Sequence, residues 1–313
     1  MTLSRLEERL ADLKRLAAAD AIDLSDAIAG IERKIAAARG ERACWERIEL
    51  ARHPERPGAV EYVKLIADEF IELAGDRLYG DDPAVIGGIA RIADRFVTVI
   101  GHRKGRNLKE NIRCNHGMPH PEGNRKALRL ARDAARFGRP ILTLIDTAGA
   151  FPGIGAEERG IGQSIARNLA EFLSFPVPVV SVVVGEGGSG GALGIGVADR
   201  VYMLENAYYT VLSPEGFASL VLHDAAKARE AAEMMRISAD DLASFKMIDG
   251  ILPEPDGGSH RDPGAMAGKL RDTVLSAFAE LERIDPVDLI AGRRRRFTSF
   301  GAFAENPGLS VTE

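Results

Sequence analysis

The chain has 313 residues, 45% of them hydrophobic and 28% charged, with a net charge of −5 at pH 7. This balance excludes wholesale disorder, and the bulk negative charge argues against a nucleic-acid protein. Two cysteines exclude a disulfide framework or a four-cysteine zinc site within this chain, and no apolar run nears the ~20 residues of a membrane span.

Residues 1–48 read as an antiparallel helical hairpin. Leu3, Leu6, Leu10 and Leu13 follow a heptad-like spacing, and Ile28, Ile31 and Ile35 repeat it after a break. The seam is too short for an independent coiled coil, so the hairpin is expected to pack on the main body. Glu7, Glu8 and Asp12 are unlike a secretory signal. Together with a count of only two cysteines, Cys44 and Cys114, they make a cytoplasmic location the expectation.

A helix is expected over 60–75, stopped by Gly75. Val85–Arg91 and Phe96–His102 are Val/Ile-rich and read as a hairpin. Helices follow at Glu122–Phe137, Glu157–Phe172 and Ser189–Val197, and buried strands at Ile141–Asp146 and Pro178–Val184. Arg200–Leu204, Tyr208–Leu212 and Gly250–Leu252 read as strands. Glu215–Leu222, Ala225–Met235, Ala239–Phe245 and Gly264–Arg283 read as helices, and Pro253–Pro263 as a loop. The alternation from 85 to 252 predicts α/β layering with parallel connections. The run Arg293–Arg296 reads as a solvated tail or helix end.

The 33 glycines are concentrated at two strand ends. The first cluster runs Asp146-Thr147-Ala148-Gly149-Ala150-Phe151-Pro152-Gly153-Ile154-Gly155. The second is Gly185-Glu186-Gly187-Gly188-Ser189-Gly190-Gly191 and leads into a helix. A weaker third element is Ser213-Pro214-Glu215-Gly216. Ligands in α/β layers bind beyond the carboxyl ends of strands, so the clusters point to one shared site. Glycines at a helix N-terminus expose backbone N–H groups at the positive end of the helix dipole, the arrangement of an oxyanion hole.

Other readings compete. The second cluster matches G-x-G-x-x-G, but late in the chain and without the expected acid on a following strand. It also matches a nucleophile elbow at Ser189, which would need an acid (Asp199 or Glu205) and a histidine (His223 or His260). Cys114 lies among Arg113, Asn115 and His116, neighbours that would lower a thiol pKa. The basic stretch from His102 to Arg129 reads either as a solvated face or as a site for an anionic substrate or partner.

The second cluster, together with Gly155-Ala156-Glu157-Glu158-Arg159-Gly160, Leu50-Ala51-Arg52-His53-Pro54, Gly117-Met118-Pro119 and Ser213-Pro214-Glu215-Gly216, resembles the alpha-subunit family of bacterial acetyl-CoA carboxylase carboxyltransferases. The likeness is collinear over about 45–285. It implies a crotonase-like spiral of ββα units over 49–290, following the hairpin of 1–48 and leaving 291–313 as a tail. It implies transfer of a carboxyl group from carboxybiotin, carried on a separate biotin carboxyl carrier protein, to acetyl-CoA, giving malonyl-CoA. The alternative is a carboxyltransferase or decarboxylase subunit for another acyl-CoA.

Such a family also implies an α2β2 assembly with a beta subunit that carries a zinc ribbon, a biotin carboxylase as companion enzyme, and no metal in this chain. By the resemblance, Gly190 and Gly191 form an oxyanion hole for the biotin ureido carbonyl. Gly187 and Gly188 shape the turn, and Ala148, Gly149, Phe151 and Gly153 line the pocket. Where the family usually has proline and tyrosine, this chain has Ala148 and Phe151.

Overall fold

In the computed structural model, residues 44–301 are described, together with 5, 6, 9, 10, 12–15, 27, 28, 30 and 31. The helical hairpin expected over 1–48 lies almost wholly outside the described residues.

The helices α1 (Cys44–Ala51) and α2 (Ala59–Ile66) lead into the sheet. The helix expected to reach Gly75 stops at Ile66. Ala67 is extended, and Glu69–Glu72 forms an edge strand, β1, antiparallel to β2 (Val85–Ile92). The physical reason is tertiary. Gly88 has no side chain, and a Cβ there would lie 2.0 Å from the Ile71 carbonyl oxygen, so β1 can approach closely. Backbone pairing with β2 overrides the helical periodicity.

β2 and β3 (Arg95–His102) form the expected hairpin. Then α3 (Leu108–Arg113) and α4 (Pro121–Arg136) lead to β4 (Ile141–Thr147). The helix expected over 157–172 is broken at Gly160, whose φ of +80° suits glycine, giving α5 (Ile154–Glu158) and α6 (Ile161–Phe172). Strand β5 (Val179–Gly188) and helix α7 (Ser189–Gly196) follow without a loop. The second glycine cluster is therefore the end of a strand and the first turn of a helix.

β6 (Arg200–Leu204), β7 (Tyr208–Thr210), α8 (Pro214–Val221), α9 (Ala228–Met235), α10 (Ala239–Ser244), β8 (Gly250–Leu252), α11 (Pro263–Leu281) and α12 (Pro286–Thr298) complete the described chain. The sheet order is β1-β2-β3-β4-β5-β6-β8, with β7 pairing the far end of β5. From β3 through β8 the neighbours are parallel. Helices cover both faces. A Cβ on Gly87 would meet Leu130 of α4, while one on Gly101, on the opposite face, would meet Ala59 of α2. The central strands β4 and β5 are buried along their whole length, as a doubly covered parallel sheet requires.

The basic run Arg293–Arg296 lies towards a helix end, as one of its two readings had it, with Arg294 and Arg295 exposed, but it is not a solvated tail throughout. It lies inside α12, and Arg293 is 1% exposed. Its guanidinium donates to Asp199 Oδ2 at 2.6 Å and to the carbonyls of Phe172, Phe175 and Val177. Arg296 pairs with Asp249 at 2.7 Å. Periodicity alone cannot show that a buried acceptor set waits for an arginine.

Candidate active site

The two glycine clusters meet because β4 and β5 are neighbours. Between Ile145↔Val183 and Thr147↔Gly187 the register shifts, β5 advancing further than β4. This bulge sets the Asp146 carboxylate over Gly185, where a Cβ would lie only 2.4 Å from Oδ1. Asp146 Oδ1 there accepts the N–H of Glu186 at 3.0 Å.

Beyond the strands the two backbones touch. A Cβ on Gly188 would lie 2.1 Å from the Ala148 carbonyl oxygen, and one on Gly191 would lie 2.5 Å from that of Gly149. A Cβ on Gly187 would press on the Tyr209 ring at 2.9 Å. Thr147 Oγ1 accepts the N–H of Gly149 at 3.1 Å and holds that segment in place. Gly190 differs. It is half-buried, and a Cβ there would meet only the end of Ile165, at 3.0 Å. Ser189, between them, adopts φ +47°, a left-handed conformation that costs a non-glycine residue and bends the chain sharply from strand into helix.

Beside Gly190 lies an apolar cavity of about 280 Å³. Leu193, Tyr209, Val211, Leu242, Phe297 and Phe300 are among the residues that line it.

Under the glycines sits a network that the sequence motifs did not reveal. Lys104 Nζ donates to Asp146 Oδ1 at 2.6 Å and to Glu186 Oε1 at 2.7 Å. Arg52 Nε donates to Glu186 Oε2 at 2.9 Å, Nη1 to Glu215 Oε1 at 2.6 Å, and Nη2 to the Tyr208 hydroxyl at 2.9 Å. The Tyr208 hydroxyl also donates to Glu186. Burial opposes ionisation of Glu186, yet Lys104, Tyr208 and Arg52 outweigh it and bring its pKa down to about 2. His102, wholly buried, is the opposite case. Desolvation holds it neutral, with its pKa lowered to about 3. Its Nδ1 accepts the Asp146 N–H at 3.3 Å.

The comparisons identify what this arrangement belongs to. Residues 1–301 match the family model described as acetyl co-enzyme A carboxylase carboxyltransferase-like. The acetyl-coenzyme A carboxylase carboxyl transferase subunit alpha of Treponema denticola is 50% identical over 296 residues, 95% of this chain and 97% of that one. The same subunit of Heliobacterium modesticaldum is 50% identical over 303 residues, 96% of this chain and 90% of that one. The chain belongs to this carboxyltransferase alpha-subunit family.

The solved structures agree on the fold, which is the expected crotonase type. A chain of a Pseudomonas malonate decarboxylase hetero-tetramer in complex with coenzyme A superposes with TM-score 0.59 and 18% identity, over 77% of this chain and 94% of that one. Transcarboxylase 12S with hydrolyzed methylmalonyl-coenzyme A bound gives TM-score 0.58 and 19% identity over 85% of this chain, which spans 47% of that longer one.

Within this alpha subunit two residues of the competing elbow reading, Asp199 and His260, are engaged elsewhere. The Asp199 carboxylate is held by Arg293 and accepts the Val179 N–H, and His260 stacks on His53 at 3.8 Å. Cys114 is buried, and desolvation pushes its thiol pKa up, against a nucleophilic role. Most of the basic stretch is paired internally. Arg103 bonds Glu72, Arg106 bonds Glu61, Arg125 bonds Asp76 and Lys126 bonds Asp81, so these cations are engaged by carboxylates of this chain.

The family departures are absorbed locally. The Phe151 ring packs on His120 at 4.2 Å, and its N–H donates to the Pro119 carbonyl at 3.0 Å. Gly153 leaves room for the ring, since a Cβ there would lie 2.4 Å from Phe151 Cε1. Phe151 and Gly153 thus pack on each other and on the Pro119–His120 segment, whereas Ala148 and Gly149 pack directly on Gly188 and Gly191.

Proposed function

We propose that this alpha subunit takes part in moving a carboxyl group from carboxybiotin, borne on a separate carrier protein, to acetyl-CoA, giving malonyl-CoA. In this reading Gly190 and Gly191 hold negative charge on the ureido carbonyl oxygen. The observation that carries it is the first turn of α7. N–H groups there have no partner within the helix, and the dipole adds positive potential. Gly190 borders the apolar cavity without a side chain to close it.

The residues suit the group. Biotin's ring system is uncharged, and an apolar cavity bordered by Gly190 at the start of a helix matches it. Carboxybiotin, when bound, supplies the activated carboxyl group. Gly187 and Gly188 bring the backbone to that point, and Ala148 and Gly149 brace it, while Phe151 and Gly153 shape the wall. No protein base is invoked, because the donors stabilise charge on oxygen.

Acetyl-CoA in this reading is held largely by a beta subunit with its own zinc, in an α2β2 assembly. A biotin carboxylase recharges the carrier, and the complex works in the cytoplasm.

Gly190→Val tests the assignment, because a Cβ there meets the Ile165 side chain, whereas one at Gly191 strikes backbone. With the beta subunit present, the variant is expected to assemble normally and to lose at least about 100-fold in malonyl-CoA formation, as for removal of an oxyanion donor. Wild-type turnover in the assembled variant would falsify the role of Gly190.

A further inference from the structure

We propose that Lys104 is a positioning residue for the carboxyl-transfer site, a deepening of the function proposed above. Its ammonium is bonded to both strands at the residues that launch the two glycine segments. Asp146 stands immediately before Thr147-Ala148-Gly149, and Glu186 immediately before Gly187–Gly191. Asp146 Oδ1 simultaneously accepts the Glu186 N–H. One cation thus closes a ring across the β4–β5 bulge and fixes how far each glycine segment stands beyond the sheet.

The stem of Lys104 is held as firmly as its head. Gly117 lacks a side chain where one would strike Lys104 Cγ at 2.9 Å and the Asp146 carbonyl oxygen at 3.0 Å. Burial disfavours the charge, but Asp146 and Glu186 outweigh it and keep the lysine pKa above its ordinary value. The charged groups facing it extend outward in a chain. Arg52 bonds Glu186 and reaches Glu215 in the first turn of α8, and Tyr208 bonds both Arg52 and Glu186. All three glycine- or proline-bearing strand ends are therefore tied to one ionic knot.

Without the ammonium, Asp146 and Glu186 would face each other in a largely buried site, and their repulsion would open the bulge. The Gly187–Gly191 backbone would shift with Glu186. Lys104 makes no bond to α7, so its effect on the reaction passes through the backbone it sets.

The experiment uses the chain assembled with its beta subunit. Lys104→Met keeps the stem and removes the charge. It is expected to lower kcat for malonyl-CoA formation about 100-fold, the scale of a displacement near 1 Å, with KM for acetyl-CoA changed less than about twofold. Lys104→Arg, which keeps a cation, is expected to recover at least about tenfold of that loss. A kcat for Lys104→Met within threefold of wild type, per assembled complex, overturns the proposal.

Should Lys104→Met fail to assemble, the neutral triple variant Lys104→Met/Asp146→Asn/Glu186→Gln removes the repulsion as well. Recovered assembly of the triple variant, whose side chains no longer repel, supports the proposal. Failure of the triple variant to assemble overturns it. Wild type without malonyl-CoA activity in the same assay would instead reject the proposed function itself.

Discussion

His102 shows how a single buried side chain makes this site sensitive to acid. In the folded protein its pKa is lowered to about 3 from 6.5, with burial as the main cause. Unfolding exposes the ring, which then takes up a proton below pH 6.5. The neutral-state stability is therefore full above pH 6.5 and is lost as pH falls from 6.5 towards 3. Replacing His102 by Gln removes this proton uptake. Denaturant titrations from pH 7 to 4 should show the wild type losing up to about 1.4 kcal/mol per pH unit more than the variant. Parallel slopes would show that His102 does not titrate on unfolding. The glycines were legible at this scale, since their clustering at strand ends already pointed to a backbone-built site. Lys104 and Arg52 were not, because what matters is that residues 52, 104, 146, 186 and 208 converge, and no motif spacing encodes that.

Among the elements, α12 teaches the opposite lesson. A run of four arginines looks like a solvated surface, yet Arg293 satisfies Asp199 and three carbonyls between α6 and β5. Removing one partner of a buried pair leaves the other charge uncompensated. Arg293→Met should lower unfolding stability by about 3–5 kcal/mol, read by denaturant titration. Arg294→Met, at an exposed position, should change it by less than about 0.5 kcal/mol. Equal effects would overturn the anchoring role of Arg293. The strand Glu69–Glu72 was missed for a related reason. Its residues fit a helix locally, and only the open backbone at Gly88 in β2 made strand pairing available.

At the scale of the whole molecule, the site lies open on one side. Leu193 and Val211, which line the cavity, are 39% and 79% exposed, and Ile154 beside the first glycine segment is 82% exposed. Apolar groups this exposed around a candidate site suit a surface that another chain completes. The isolated chain should therefore form no malonyl-CoA above background, and adding the beta subunit should restore activity in step with assembly measured by sedimentation. Full activity of the isolated chain would show the site to be complete by itself.

The sequence by itself determined the α/β class, the β2–β3 hairpin, the buried strands, the two glycine clusters and the family likeness. Each depends on local composition, period or contiguous motifs. Only the tertiary structure decided that β5 runs through the second cluster, that Gly191 packs while Gly190 stays open, and that Lys104 joins Asp146 to Glu186. Those facts arise from strand adjacency and a register shift, which bring together residues 40 or more positions apart.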